Sequence, residues 1–204
     1  MKNKAGKIIG VRFSIVLGFI LLAPSLLASD LSMTIFGQYF IPSDSAFKDL
    51  YGNGGAFGGK IKYSFGTNYG IWLSGSYYKQ EGELSFTKEE TVVKVVPLAA
   101  GISFQIPGEW LRVYLDGGLG LFYFNEDNPI GKVTSNRLGY LARIGTSFFP
   151  VKNLIFDVYM QFSSCKIRPV EIEASIGGLS FGVGLGWRFQ LSEEEKSWVW
   201  KEVK

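Results

Sequence analysis

Apolar and polar positions alternate strictly along residues 179–189, LSFGVGLGWRF. One set of alternate positions is entirely apolar and ends in Trp187 and Phe189, whereas the other holds serine, glycine and arginine. A period of two predicts a β-strand, because successive side chains of a strand point to opposite faces. A face of glycine and arginine is unsuited to a protein core. The pattern therefore favours a strand whose apolar face meets lipid and whose other face lines the interior of a barrel.

Seven more segments alternate in the same way, each close to the ~9–11 residues that a tilted transmembrane strand needs. They cover residues 31–39, 57–65, 69–77, 96–105, 111–123, 138–148 and 154–163. Short turns alternate with long polar connections, as in bacterial outer-membrane barrels, whose short turns are periplasmic. The long connections are predicted near residues 42–55, 79–92, 125–137 and 166–176. The predicted fold is all-β, an eight-stranded antiparallel up-and-down transmembrane β-barrel over residues 30–190.

This topology predicts two belts of aromatic side chains at the ends of the lipid-facing surface, where aromatic rings favour the membrane interface. The predicted outer belt contains Tyr39, Phe57, Tyr77, Tyr123, Tyr140 and Phe162. The predicted inner belt contains Phe65, Tyr69, Phe104, Phe148, Phe156, Trp187 and Phe189. Pro97 departs from the strand pattern, because proline has no amide hydrogen to donate. A strand in a closed barrel has a neighbour on each side, so it has no free edge at which a missing donor would go unnoticed. We expect the fourth strand to begin at Pro97 or to contain a bulge there.

The first 29 residues have the layout of a secretory signal peptide. Four basic residues precede an uncharged apolar run of 11 residues, 13–23, and Ala28 offers a small-residue cleavage point. Eleven residues fall well short of the ~20 needed for a spanning helix, which disfavours the alternative of an uncleaved anchor. Residues 191–204 follow the predicted barrel as a periplasmic C-terminal tail, which we expect to be mobile or to form a short docked helix.

Composition excludes several classes of function. The leader holds four of the 21 basic residues and none of the 18 acidic ones, so the remainder is nearly neutral and indicates no nucleic-acid partner. The absence of histidine removes histidine-based metal sites and Ser-His-Asp hydrolysis. A single cysteine, Cys165, excludes an internal disulfide. The sequence indicates no catalytic residue, no cofactor and no metal site.

Charged residues are predicted on the inward face of the strands, where a charge must be paired or hydrated. This lumen network contains Lys60, Lys62, Arg112, Asp116, Arg143, Asp157 and Arg188. Arg143 lies on a strand between those of Asp116 and Asp157, and we expect its guanidinium to bridge both carboxylates. The network either ties the strands together or forms a cationic constriction that favours anions. Inward glycines and aromatics either balance each other's volume or leave a cavity or side passage for an apolar molecule.

Three stretches resemble the small outer-membrane β-barrel family, the OmpW- and OmpA-like eight-stranded proteins of Gram-negative-type bacteria. They are Val96-Pro97-Leu98, residues 116–123 (DGGLGLFY) and residues 184–189 (GLGWRF). The resemblance implies insertion into outer-membrane lipid by the barrel-assembly machinery, which reads a last strand ending in an aromatic residue, here Trp187 and Phe189. The sequence departs from the family in continuing past Phe189, so this signal would have to be read internally.

Two functions remain open at this point. The first is a non-enzymatic outer-membrane barrel with a structural or surface-interaction role, and the second is a narrow porin-like conduit or binding barrel for small hydrophobic or anionic molecules. An embedded lipid-modifying enzyme is disfavoured, because the sequence offers no catalytic pair. A soluble ligand-binding barrel is also disfavoured, because it would place apolar residues inside and charges outside.

Overall fold

The computed structural model describes residues 28–83, 90–129, 131–167 and 174–190. Along these ranges the elements are β1 (Ala28–Pro42), α1 (Ser45–Tyr51), β2 (Gly54–Phe65), β3 (Tyr69–Glu83), β4 (Glu90–Pro107), β5 (Leu111–Asn128), β6 (Gly131–Val151), β7 (Leu154–Ser164), β8 (Lys166–Ile167), β9 (Ala174–Ser175) and β10 (Gly178–Gln190). Nearly all of the predicted leader and the whole predicted tail lie outside the described residues.

Eight of these strands close into an antiparallel barrel in the order β1-β10-β7-β6-β5-β4-β3-β2, which confirms the predicted fold class. The barrel closes where β1 pairs with β10, from Asp30 opposite Gln190 to Pro42 opposite Gly178. The two short strands β8 and β9 pair with each other in a separate two-stranded sheet. Among the described residues, no helix is both long enough and apolar enough to cross a membrane.

The barrel wall is apolar outside over its middle part. Ile35, Leu119 and Leu138 point outward and expose 71%, 69% and 75% of their surface, which in water would be costly for side chains of this size. Aromatic side chains flank this surface and contact one another across neighbouring strands. Ring centroids lie 5.5 Å apart for Phe57 and Tyr77 at one end, and 5.7 Å apart for Tyr69 and Phe104 at the other.

The strands extend further at the outer end, away from the short turns, than the sequence pattern predicted. Residues 79–83, 90–92, 125–128 and 131–137 were expected in polar loops, yet they continue β3, β4, β5 and β6. Beyond the outer aromatic belt most outward side chains are polar, while inward ones such as Val93 and Phe124 are buried and apolar. An outward apolar stripe therefore identifies only the part of each strand that faces lipid.

Pro97 lies inside β4 rather than at its start, and no bulge accompanies it. The β3–β4 pairing runs from Gly75 opposite Leu98 to Tyr78 opposite Val95 in one register, but the two intervening pairs are absent. On its other side Pro97 pairs with Phe122 of β5 without interruption. Proline has no amide hydrogen to donate, so the ladder toward β3 opens locally without shifting.

Candidate functional site

The inward residues near the inner end and middle of the barrel form a polar layer, which we call the charged layer. It comprises Asp30, Lys60, Lys62, Arg112, Asp116, Arg143 and Asp157. The strand alternation that exposes apolar side chains to lipid turns these residues inward from five strands, β1, β2, β5, β6 and β7. Six of the seven were predicted from the sequence as members of the lumen network.

An ion pair between Lys60 and Asp116 crosses the lumen. Lys60 is on β2 and Asp116 on β5, and two strands separate them in the barrel order, so the pair joins parts of the wall that are not adjacent. Asp116 is 1% exposed, and the Lys60 ammonium also lies 4.4 Å from the centroid of the Tyr114 ring. A buried pair of this kind constrains both strands, because separating the charges would leave each of them unpaired in a medium of low dielectric.

Arg143 does not bridge Asp116 and Asp157, contrary to the sequence-based expectation. Its guanidinium donates hydrogen bonds of 3.1 and 2.6 Å to the side-chain oxygen of Gln161, and it stacks 4.2 Å from the centroid of Tyr159. Asp116 faces Arg143 in the β5–β6 register, but its carboxylate turns to Lys60. Alternation along a strand reveals which face a side chain occupies and leaves its partner undetermined.

Asp157 is held by neutral donors. It accepts a hydrogen bond of 2.7 Å from the Tyr114 hydroxyl and one of 2.8 Å from the Ser147 hydroxyl. These residues lie on β5, β6 and β7, so Asp157 links three consecutive strands through two short bonds. Hydrogen bonds to a charged acceptor are stronger than neutral ones, which makes Asp157 a structural node of the charged layer.

Asp30 belongs to the charged layer and was missed by the sequence analysis. Arg112 donates to its carboxylate at 3.0 Å, and also to the side-chain oxygen of Gln105 at 3.4 Å. Asp30 lies two residues before Ser32 and four before Thr34, all on the inward parity of β1. Extending the alternation of the first strand by one more inward position would have identified it.

Arg188 was predicted in the lumen network, and the structure places it at the inner rim. It is half-buried, stacks 4.2 Å from the centroid of Phe149 and donates a 2.6 Å hydrogen bond to the backbone oxygen of Lys152. Its neighbours Trp187 and Phe189 point outward on β10, where they pair in register with Met33 and Leu31 of β1.

Above the charged layer, an apolar cluster closes the outer end of the lumen, and we call it the apolar plug. Its buried members are Phe40, Phe47, Tyr51, Ala56, Tyr78, Val93, Val95, Phe122, Phe124, Cys165, Ile167 and Ile176. The helix α1 contributes Phe47 and Tyr51, which face the lumen together because they lie one helical turn apart. The spacing of Phe47, Leu50 and Tyr51 after Asp44 is a helix signal that the sequence analysis did not use.

A set of polar contacts, which we call the clasp, holds α1 against the segment before β10. Asp44 caps α1 by accepting a 3.1 Å hydrogen bond from the Phe47 amide, and its second oxygen accepts another of 3.1 Å from the Ser175 amide. The bonds from Ser175 and Phe47 hold the pKa of the Asp44 carboxyl below its usual value. The Ser43 amide and hydroxyl both donate to the backbone oxygen of Gly177.

Two small cavities lie inside the barrel, one at each of these layers. A cavity of about 30 Å³ lies beside the apolar plug, and its lining includes Ser76, Tyr78 and Pro97 at the gap in the β3–β4 ladder. A second cavity of about 20 Å³ lies inside the charged layer. A water molecule needs roughly 10–15 Å³ on this measure, so the two cavities hold only a few waters.

Comparisons with known proteins agree with this architecture. The model of the family described as "Outer membrane protein beta-barrel domain" matches residues 15–194. No curated protein matches the sequence.

Several solved structures share the fold at low sequence identity. Ail, the attachment invasion locus protein of Yersinia pestis, solved in complex with the heparin analogue sucrose octasulfate, is 20% identical, with a TM-score of 0.54 over 79% of this chain and 99% of that one. OprG from Pseudomonas aeruginosa is 14% identical, with a TM-score of 0.60 over 80% and 97% of the two chains. Neisserial surface protein A is 13% identical, with a TM-score of 0.54 over 78% and 96%. Because the family match includes every strand of the barrel, the chain belongs to the family of outer membrane protein β-barrel domains and resides in the bacterial outer membrane.

Proposed function

We propose that the protein is a non-enzymatic, non-conducting barrel with a structural or surface-interaction role at the cell exterior. The observation that supports this role is the double closure of the lumen, by the charged layer and by the apolar plug. Barrels of this family are generally non-enzymatic. The outward apolar surface of the barrel is in contact with the lipid of the outer membrane.

A conducting pore needs a continuous water-filled path, and the two layers interrupt such a path in different ways. In the charged layer the Lys60–Asp116 pair crosses the lumen, and Arg143 with Tyr159 fills the space beside it. In the apolar plug α1 places Phe47 and Tyr51 into the outer opening. An ion would have to displace buried aromatic side chains and then separate a buried ion pair.

Single-channel recording in a planar lipid bilayer tests this closure. We expect the folded protein to give no conductance steps under conditions in which an open porin, inserted in the same bilayer, gives steady ones. Steady steps whose size changes in Lys60→Ala or Arg143→Ala would contradict the proposal, because they would show ions passing the charged layer.

The proposed interaction surface is a four-stranded sheet that stands above the outer aromatic belt. In this sheet β3 pairs with β4 up to Glu83 opposite Glu90, β4 with β5 up to Val92 opposite Asp127, and β5 with β6 up to Asn128 opposite Gly131. Two like charges, Lys79 and Lys94, lie directly opposite each other on its outward face. Like charges opposite each other are unfavourable in a sheet; Glu81 already pairs with Lys79 at 2.8 Å, and an anionic partner would balance the charge of Lys94.

Binding to heparin, used as a probe polyanion, tests this surface. Cells displaying the protein should adhere to immobilised heparin, and the variant Lys79→Gln/Lys94→Gln should lose most of that adhesion. The matched control is Lys132→Gln, because Lys132 is another exposed lysine of the same sheet but lies opposite the acidic Asp127. Equal loss of adhesion in the control and the double variant, or no adhesion by the native protein, would count against an anionic partner.

We further infer that the barrel-assembly machinery recognises Trp187 and Phe189 on β10. Both side chains point outward near the inner end of the closing strand, where an external factor can reach them. The variant Trp187→Ala/Phe189→Ala should fold in detergent yet accumulate poorly in the outer membrane. Normal accumulation of this variant in cells would contradict the inference.

A second candidate function is lateral passage of a small apolar molecule through the wall at Pro97. The gap in the β3–β4 ladder and the adjoining cavity lined by Ser76, Tyr78 and Pro97 favour it. In a Cys165→Ser background, the disulfide variant Ser76→Cys/Pro97→Cys would fasten the gap, and Ser74→Cys/Ala99→Cys would fasten a regular pair as control. Uptake of an apolar dye into vesicles that is blocked only by the first disulfide would establish this function over the closed barrel.

A further inference from the structure

The charged layer holds one more positive than negative charge. Its four cations are Lys60, Lys62, Arg112 and Arg143, and its three anions are Asp30, Asp116 and Asp157. Arg188 lies half-buried at the inner rim, outside the charged layer, and it stays outside this count. A buried charge without a counter-charge is strongly unfavourable, so the excess needs compensation.

The unbalanced charge is located at Lys62. Lys60 pairs with Asp116 and Arg112 with Asp30, which balances two cations. Arg143 donates two hydrogen bonds to Gln161 and stacks on the Tyr159 ring, and the one remaining anion is Asp157. Lys62 is 6% exposed, and in the described part of the chain its ammonium has no hydrogen bond or ion pair. The ammonium lies over the face of the Tyr114 ring, 5.0 Å from its centroid.

A cavity of about 20 Å³ adjoins this ammonium. That volume accepts one particle slightly larger than a water molecule. The lining brings together three cations and several hydroxyl groups, namely Lys60, Lys62, Arg112, Ser32, Thr34, Tyr114 and Ser147. Asp157 also lines the cavity, but its two oxygens already accept the hydrogen bonds from Tyr114 and Ser147.

We propose that this cavity binds one small monovalent anion of the size of chloride, with Lys62 as its principal ligand. One such ion neutralises the excess charge of the charged layer and gives the Lys62 ammonium a partner. Thr34 can donate a further hydrogen bond to it, whereas the hydroxyls of Tyr114 and Ser147 already donate to Asp157 and that of Ser32 to the backbone oxygen of Lys62. The ion is a resident part of the folded barrel, and its binding does not depend on the surface role proposed above.

Anion-dependent stability tests this site in the intact protein. The native protein, Lys62→Met and Lys132→Met are each refolded from urea into detergent micelles in sodium chloride or in sodium gluconate at equal ionic strength. Gluconate is too large for the cavity. We expect chloride to raise the thermal unfolding midpoint of the native protein in a saturable way, by about 3–6 °C at tenfold above the dissociation constant.

The variants separate a specific site from a general salt effect. Lys62→Met should lose the difference between chloride and gluconate, whereas Lys132→Met, altered on the exposed outer hairpin, should keep it. Crystals grown in bromide should show an anomalous difference peak beside the Lys62 ammonium. Equal midpoints in both salts for the native protein, an undiminished chloride effect in Lys62→Met, or no bromide peak would each overturn the site. The bromide measurement decides the matter even if Lys62→Met fails to fold.

Discussion

The charged layer and the apolar plug are built on the same strands, yet their chemistry is opposite. β5 contributes Asp116 to the charged layer and, further along the same inward face, Phe122 and Phe124 to the apolar plug. This difference in the inward side chains follows the medium outside the barrel wall. Where lipid covers the outside, the polar side chains are inside, and where water covers the outside, the apolar side chains are inside.

The two layers therefore depend on different forces. The charged layer is held by directional bonds between ionised groups in a place that water barely reaches, so each member needs its particular partner. The apolar plug is held by packing of side chains that are interchangeable within limits of volume. Loss of one side chain should disturb the whole barrel in the first layer and only the outer opening in the second.

Removing one member of the cross-lumen pair should give the largest effect. Asp116→Leu leaves Lys60 buried without a counter-charge, and we expect a loss of about 3–5 kcal/mol in the free energy of unfolding. Urea unfolding of the barrel in lipid vesicles measures it. The double variant Lys60→Met/Asp116→Leu removes both charges and should recover most of the loss. A double variant as unstable as Asp116→Leu would show that the lost stability comes from the missing Lys60–Asp116 ion pair and not from the unpaired charge of Lys60.

Truncation of an aromatic side chain in the apolar plug should act locally. Phe47→Ala should destabilise the docking of α1 by about 3 kcal/mol, because the removed ring is buried among other aromatics. The measurement is protease cleavage between β1 and β2, with the heat-dependent gel mobility of the barrel as the readout of the wall. Cleavage should increase while the barrel midpoint stays unchanged. Phe57→Ala, altered on the lipid-facing side, is the control and should keep α1 protected.

Protonation of Asp44 should loosen the clasp at acid pH. The pKa of Asp44 is lowered in the folded protein. Its contribution to stability is therefore complete above the usual carboxyl pKa of 3.8 and is lost as the pH falls through the lowered value. Asp44→Ala should cost the docking of α1 about 1 kcal/mol at neutral pH. Amide chemical shifts of α1, followed by NMR from pH 7 downward, measure the transition. Asp44→Asn keeps the cap and should remove the pH dependence; a transition that persists in Asp44→Asn would point to another group.

The smallest effect is expected at the boundary between the two layers. Pro97→Ala supplies the missing amide donor toward β3, which stabilises the fold, but it also gives the unfolded chain more conformational entropy. The two contributions nearly cancel, and we expect the free energy of unfolding to change by less than about 1 kcal/mol. Hydrogen exchange should nevertheless show a protected amide at the new alanine. Rapid exchange at that position would mean that something other than the missing donor opens the ladder.

The wall of the barrel was predictable from the sequence, because lipid imposes a period of two that is read directly from residues such as those of β10. The same rule placed Lys60, Asp116 and Asp157 inside. It did not predict that Lys60 pairs with Asp116, since that contact joins strands that are not neighbours and depends on the barrel's radius and stagger. It also missed the strand extensions and Asp30, because the expected outward apolar stripe ends where the lipid ends.

The helix α1 shows a second limit of pattern reading. Its seven residues, Ser45–Tyr51, lie in a connection that was expected to be polar loop. A helix so short is stable only where tertiary contacts support it. The Asp44 cap and the spacing of Phe47 and Tyr51 indicate a helix, but the strands that receive its aromatic face come from distant parts of the chain.

The clasp has a consequence for the order of folding. β1 and β10 are the first and last strands, and their pairing joins the most distant parts of the barrel, with Asp30 opposite Gln190. Closing so long a loop carries the largest entropic cost of any strand pairing here, so we expect it to be late and slow. Ser43 and Asp44 join the same two ends once more, at the outer opening. The barrel would thus be an open, curved sheet through most of its assembly, and the contacts beside α1 would act as the final latch that makes its closure hard to reverse.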